Sequence, residues 1–418
     1  RKDNCSDYAA TVLLYRRSSD GGRTWGSLRS LLNLTVEDQQ TKGICGKPLV
    51  VGNIAPVQMR SDSKYYPGRI LAPYMRNNFK TWLVYSDDDG VTWTGDRELV
   101  NMTVTDPGVS YEDAQPECER GMDYFGFDID YIDTMNWANL ARWAAQICYD
   151  KKNIYDRRKW ASKLVGPWQF IGTGPSKALQ LRSGRVLVPA YHGYIHALEG
   201  SGIIPISQLY SSVALGHTLI TDDGGDTWRM SDDWDRGDGA CENEMVELHD
   251  SVLANIRSLS TGTPQYRLQA RSFDDGESFE ASEFIEIPSP FNGAYGSTIS
   301  DGNRTVYPCH SDPLPAQSWV QDAFNAIHCN INGTGRTRLS VWKSTTEGRD
   351  YPDKVLLDPG ASGQNSFQWV GDKLMLLYEQ SDPAPVYSVE SILVRKAIEN
   401  LEVQLPDRFV LREVGVDI

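Results

Sequence analysis

Short apolar runs of about five to nine residues recur along this 418-residue chain, and each gives way to a cluster of Gly, Asp, Ser and Thr. Such runs, rich in Val, Ile, Leu and Tyr and bounded by turn residues, predict strands joined in meanders. Tyr8–Tyr15 is a predicted strand of one unit, and the predicted strands of the first full group are Gly52–Val57, Gly68–Tyr74 and Thr81–Tyr85. A second group covers Trp168–Ile171, Ala178–Leu181, Arg185–Tyr191 and Ser212–Ile220. A third covers Glu242–Leu248, Val252–Arg257 and Tyr266–Ser272, and a fourth Gly293–Ser300, Arg304–Cys309 and Arg336–Ser344. The last holds Ser366–Val370, Lys373–Tyr378 and Val386–Lys396. The rhythm breaks between about 106 and 166, where Asn136–Tyr149 has helical periodicity, and again at Gly193–Tyr210. The first stretch reads as an insertion between repeated units that packs on the rim or closes over one face, and the second as a loop that interrupts a unit.

One octet punctuates the strands. It runs Ser18–Trp25, returns at Ser86–Trp93 and Thr221–Trp228, and recurs more loosely at Ser272–Phe279. A copy at Ser344–Tyr351 has decayed, and by sequence this is the weakest unit. The shared pattern is Ser/Thr-x-Asp-x-Gly-x-Thr/Ser-aromatic. An Asp early in a tight turn accepts backbone N–H bonds, and Gly takes a positive φ. The hydroxyls add local bonds, and the ring is expected to plug between sheets. Several copies in one chain indicate a repeat architecture. With parts of six units and no linker between them, the expected fold is all-β: a single six-bladed β-propeller over 1–418, with a helical insertion at about 106–166.

Composition refines this. A net charge of −15 argues against a nucleic-acid partner. No apolar run is long enough for a transmembrane helix. The seven cysteines include no pair with metal-knuckle spacing, so no metal or cofactor is expected. Sequons start at Asn4, Asn33, Asn101, Asn303 and Asn332. Together with the cysteines they point to a secreted or lumenal glycoprotein with some disulfides, lysosomal or cell-surface placement included. The odd cysteine count leaves one thiol free or paired upstream of Arg1. The chain opens on Arg1 without Met or a leader, and so reads as a mature or truncated product.

Charged residues at strand ends supply the candidate chemistry. Arg257 ends an apolar strand, Arg336 and Arg338 begin another, and Glu242 and Glu247 flank Met245 and Val246. Glu379 follows an apolar strand and Asp7 precedes one. Each alone is an ordinary exposed charge. Together, at matching ends of different units, they suggest arginines converging on a carboxylate, with Asp7 and Glu242 as an acid/base pair.

These residues resemble the catalytic propeller of the sialidase (neuraminidase) family, whose Asp-box is the octet. The resemblance rests on Gly52-Asn53-Ile54-Ala55-Pro56, Gly172-Thr173-Gly174-Pro175 and the segment Gly184–His192. It continues through Glu242–Leu248 followed by Arg257, through Gly293–Ser297 and through Leu376-Leu377-Tyr378-Glu379. It implies that Asp7, eleven residues before Ser18, is the general acid/base and that Glu242 is the base that deprotonates the nucleophile. Arg257 and Arg336 would be two of three carboxylate-binding arginines, Arg1 an accessory one, and Asn53 and Tyr295 further substrate-binding positions. The substrates implied are sialylated glycoproteins, glycolipids or oligosaccharides.

Three departures stand out. The strand carrying the first triad arginine would lie upstream of Arg1. Glu379 resembles the glutamate that holds this arginine, or is a strand-end charge. Where the family has its nucleophilic Tyr, the loop Pro359–Ser366 offers Asn365, or Gln364 if the register slips by one. An amide is no such nucleophile. The family's central His is replaced by Lys177. Two readings follow: a glycosidase that uses Tyr295 or an activated water, or a sialic-acid-binding lectin-like propeller.

Overall fold

The computed structural model describes residues 10–43, 48–104, 110, 113, 170–175, 177–194, 213–233, 240–258, 266–288, 295–312, 337–370, 373–381 and 408–413. Arg1, Asp7, Arg336, the predicted helix Asn136–Tyr149, the loop Gly193–Tyr210 beyond Tyr194 and the strand Val386–Lys396 lie outside the described residues.

The described residues form successive antiparallel meanders. β1 (Leu14–Tyr15) pairs with β2 (Arg29–Ser30), and a single helical turn α1 (Val36–Thr41) follows. Thr35 caps α1 in a reciprocal box with Asp38. The next sheet holds β3 (Val51–Gly52), β4 (Val57–Gln58), β5 (Ile70–Arg76), β6 (Lys80–Ser86) and β7 (Thr94–Glu98), in the order β3-β5-β6-β7 with β4 also on β5. Then come β8 (Phe170–Thr173), β9 (Leu179–Gln180), β10 (Val186–Tyr194), β11 (Val213–Thr221) and β12 (Arg229–Met230), with β8 and β9 sharing β10. β13 (Ala240–Glu247), β14 (Val252–Ser258), β15 (Tyr266–Ser272) and β16 (Glu283–Pro288) form a plain four-stranded meander. The last sheet runs β17 (Ser297–Ser300), β18 (Val306–Ser311), β19 (Thr337–Lys343), β20 (Asp353–Val370), β21 (Lys373–Ser381) and β22 (Arg408–Glu413). Long β20 joins two units: its first half pairs with β19 and its second with β21.

The sheets stack in chain order. Val186, Val188 and Ala190 of β10 pack with Leu71 and Leu83 of the preceding sheet. Leu187, between them, packs with Met245, Ala254 and Ile256 of the following one. Alternate residues of one strand thus serve two cores. This explains why the sequence shows continuous apolar runs rather than polar/apolar alternation. Each such buried aliphatic side chain contributes about 1.5–3 kcal/mol. Leu253 and Val246 meet Val306 and Tyr351 on the next face, and Leu13 and Tyr15 pack with Ala72 and Tyr74 on the first. The arrangement is all-β and propeller-like.

The octets close the third-to-fourth strand turns. In Ser86–Trp93 the Ser86 hydroxyl donates to Asp88 (2.8 Å) and accepts from the Gly90 N–H (2.8 Å). Asp88 accepts from the Thr92 N–H (2.9 Å) and hydroxyl (2.6 Å). The fifth-position glycines, from Gly22 to Gly348, all have positive φ. The later turns dock on the preceding sheet, as when Arg97 donates to the Gly225 carbonyl (2.6 Å) and Arg185 to that of Asp275 (3.0 Å).

Two expectations about the octets need correction. Trp25 does not plug between sheets; it is exposed, whereas Trp228, Phe279 and Tyr351 pack against cores. The copy at Ser344–Tyr351 has not lost its turn. Thr346 stands in the Asp position and Asp350 in the Thr position, so Thr346 donates to Asp350 and the bond survives with its ends exchanged. Ser344 still accepts from the Gly348 N–H (2.8 Å).

Candidate functional site

The β13–β14 pair carries the first two predicted site residues. Its register runs Ala240↔Ser258, then Asn243↔Ile256, so Cys241 and Glu242 together oppose Arg257. This is a β-bulge, and a bulge re-aims side chains. Here it brings Glu242 Oε2 to 2.6 Å from Arg257 Nη1, with both side chains about nine-tenths buried. Removed from water, the pair interacts far more strongly than it would at the surface. Burial disfavours the Arg257 charge, but the neighbouring carboxylate more than offsets this and raises its pKa. Beside them the Cys241 thiol is pushed up to about 12 by burial. Cys241 and Cys309, the two cysteines among the described residues, are both buried free thiols.

Tyr191, in the second half of β10, closes one side of this cluster. Its hydroxyl accepts from Asn53 Nδ2 (3.2 Å), and it lies in the electrostatic field of Arg257 and Cys241. Asn53 holds a left-handed backbone (φ 48°), a conformation Asn tolerates better than most residues. Its carbonyl accepts from the Thr173 hydroxyl. The Gly-Asn and Gly-Thr-Gly-Pro segments singled out in the sequence are therefore bonded to each other.

The other side is a buried polar hub. Glu244, two residues beyond Glu242, is fully buried and ion-paired with Lys177 (3.0 Å). It accepts from the Ser297 hydroxyl (3.0 Å) and the Thr298 N–H (3.2 Å). Lys177 also donates to the Phe367 carbonyl (2.7 Å). Burial pushes the Glu244 carboxyl up, and Lys177 opposes that shift. The Lys that departs from the family's His thus has a structural partner.

Asn365 joins this hub. It is buried in β20, and its side-chain oxygen accepts from the Ser297 N–H (3.1 Å). Its Nδ2 has no hydrogen-bond partner among the described residues, and the same holds for the hydroxyl of Tyr295, which is 2% exposed and two residues before Ser297. Glu379, cross-strand from this segment, accepts from the Gln364 N–H (3.0 Å). Glu242 on β13 and Asn365 on β20 thus adjoin through Glu244 and Ser297, with Arg257 opposite Glu242 on β14 and Tyr295 just before β17. Asn53 joins by way of Tyr191.

Sequence reasoning passed over Tyr191, Glu244 and Arg267. Arg267 is fully buried and donates to Asn255 (3.0 Å). Burial and the Arg257 charge bring its pKa down to about 9. The signal was present: a charged residue inside an apolar strand has no packing reason to be there. Glu247, by contrast, is a rim charge paired with Arg182 (3.2 Å).

The BNR repeat-like domain family matches residues 137–403. Sialidase-3 of Bos taurus is 29% identical over 153 residues, 35% of this chain and 34% of that protein. Sialidase-4 of Mus musculus is 31% identical over 134 residues, 32% of this chain and 26% of that protein. The chain thus spans about a quarter to a third of the length of the curated relatives it matches. Among solved structures, the Hadza microbial sialidase Hz136 superposes with a TM-score of 0.54 at 16% identity, covering 89% of this chain and 57% of that one. The Trypanosoma rangeli sialidase superposes at 0.50 and 13% identity, covering 94% and 52%. These two likenesses speak for the fold.

Proposed function

The chain belongs to the BNR repeat-like domain family, as a BNR-repeat domain of the sialidase kind, and on that footing we propose that it is an exo-α-sialidase-like glycoside hydrolase. It releases terminal sialic acid, or a related nonulosonic acid, from glycoproteins, glycolipids or oligosaccharides. It works as a six-bladed propeller in a secreted or lumenal setting. The observation that carries the reading is the buried Glu242–Arg257 pair set by the β13 bulge.

In this mechanism Arg257 and Arg336, with Arg1 nearby, grip the substrate carboxylate, and Asp7 gives its proton to the leaving glycosidic oxygen as the C–O bond breaks. Water takes the place of the nucleophilic Tyr. It bonds to the anomeric carbon while its proton passes to Glu242, which gives inversion. The water route is supported by Asn365, whose Nδ2 points to no described partner, and by its small side chain. Tyr295 is the alternative nucleophile. Its side chain is buried and its hydroxyl has no hydrogen-bond partner among the described residues.

A second reading is favoured by Asn365 itself: a propeller that binds sialosides through its arginines without turning them over. Turnover of a fluorogenic sialoside, measured beside binding to a sialylated glycan array, separates the two. Release that Glu242→Gln abolishes supports hydrolysis. Binding without release supports the lectin.

A further inference from the structure

We propose that His192, His217 and Asp233 form a binding site for one divalent transition-metal ion of the zinc class. No metal-knuckle spacing occurs in the sequence. These residues lie 25 and 16 positions apart, and only the β10–β11–β12 meander brings them together. β10 and β11 pair with Ala190 opposite His217 and His192 opposite Leu215, so the two histidines are diagonal neighbours on one face. Asp233 follows β12 on the same sheet.

The geometry is that of converging donors. The two Nδ1 atoms are 3.0 Å apart, and the ring planes are tilted by 54°, so nitrogens rather than ring faces meet. Asp233 Oδ2 lies 3.5 Å from His192 Nε2, and one donor atom from each of the three residues lies within 4.8 Å of the others. Zinc–nitrogen and zinc–oxygen bonds of about 2.0–2.2 Å set tetrahedral donors roughly 3.3 Å apart. The two Nδ1 atoms already meet that spacing. Asp233 Oδ2 sits at the other ring nitrogen of His192, so its side chain, 36% exposed, must swing toward the Nδ1 pair, and it offers the ion a path from solvent.

The chemistry selects the ion. Two imidazole nitrogens suit zinc, cobalt, nickel or copper and disfavour calcium and magnesium, which take oxygen donors. Both rings are fully buried. A bound ion would tie together three neighbouring strands at the end where His192 follows Tyr191. It would thereby stiffen the strand that presents Tyr191 to Asn53. The inference stands apart from the sialidase reading and would survive its failure.

The test uses the full chain without a histidine tag, stripped by chelator, then titrated with cobalt(II) and with zinc(II). The expected results are one ion per chain, an intense tetrahedral cobalt spectrum with imidazole ligation, and a higher melting temperature with zinc. Asp233→Asn, at an exposed position expected to tolerate the change, and His217→Asn should each weaken binding about 10-fold or more. Absence of binding by the wild-type chain overturns the proposal, leaving the histidines as a plain N–H···N pair. So does binding that neither variant weakens.

Discussion

Arg257 Nη1 lies 2.6 Å from Glu242 Oε2 because one extra residue in β13 lets Cys241 and Glu242 share a single partner position. Without the bulge, Glu242 would stand one step out of register with Arg257. Glu242→Ala removes the carboxylate that lies 2.6 Å from the buried Arg257 charge, and should cost about 3–5 kcal/mol of stability. Glu242→Gln should cost less and lower turnover about 100-fold or more. Denaturant melts and sialoside kinetics on both variants check this. Equal stability losses would contradict it.

The Lys177–Glu244 pair should show a pH signature. Burial raises the Glu244 carboxyl and Lys177 opposes that shift, so Lys177→Met raises it further. A carboxyl raised in the folded state favours folding below the unfolded range near 4.3 and loses that contribution as pH rises. Lys177→Met should therefore destabilise by about 3–5 kcal/mol near neutral pH, with the deficit shrinking in acid. Adding Glu244→Gln should recover most of it. A pH-independent deficit in the single variant would contradict the pairing.

The octet aspartates act in the opposite direction. Asp88 is held down to about 2 by hydrogen bonds from Thr92, with Ser86 adding to them. A depressed carboxyl stabilises above the unfolded value near 3.9 and loses that contribution as pH falls toward about 2. Melting temperatures of wild type and Asp88→Asn should differ most above pH 4 and converge on acidification. Parallel curves would rule the effect out.

In the exchanged octet, Thr346→Asp alone sets two carboxylates together, and Asp350→Thr alone removes the acceptor. Each should cost about 1 kcal/mol. The double variant Thr346→Asp/Asp350→Thr should restore stability close to wild type. Additive losses in this cycle would contradict the exchange.

Gly172 packs directly against Tyr191: a Cβ there would come within 2.5 Å of the ring. Gly172→Ala should displace Tyr191 from Asn53, costing about 1–3 kcal/mol and raising KM for a sialoside. Unchanged KM with an unchanged melting temperature would exclude Tyr191 from the site.

The strands and octets were legible because their periodicity and turn chemistry are local. β5, β6, β10, β11, β14 and β15 lie within a few residues of expectation. Polar edge strands such as β7, Thr-Gly-Asp-Arg-Glu, were not, because only pairing to β6 makes them strands. Glu242 and Arg257 could be chosen by residue type, but the bulge that joins them is a property of two strands. Lys177 stands where the resembled family has His, and its partner Glu244 is distant in sequence, as His192 and His217 are from each other. Long-range partners of this kind are invisible to a reading along one chain.

The most direct test of hydrolysis by a Glu242-activated water is proton NMR of the first product formed from an α-sialoside. Inversion predicts that the β-anomer of free sialic acid appears first and the α-anomer only by later mutarotation. First appearance of the α-anomer would contradict the water route and point to a protein nucleophile.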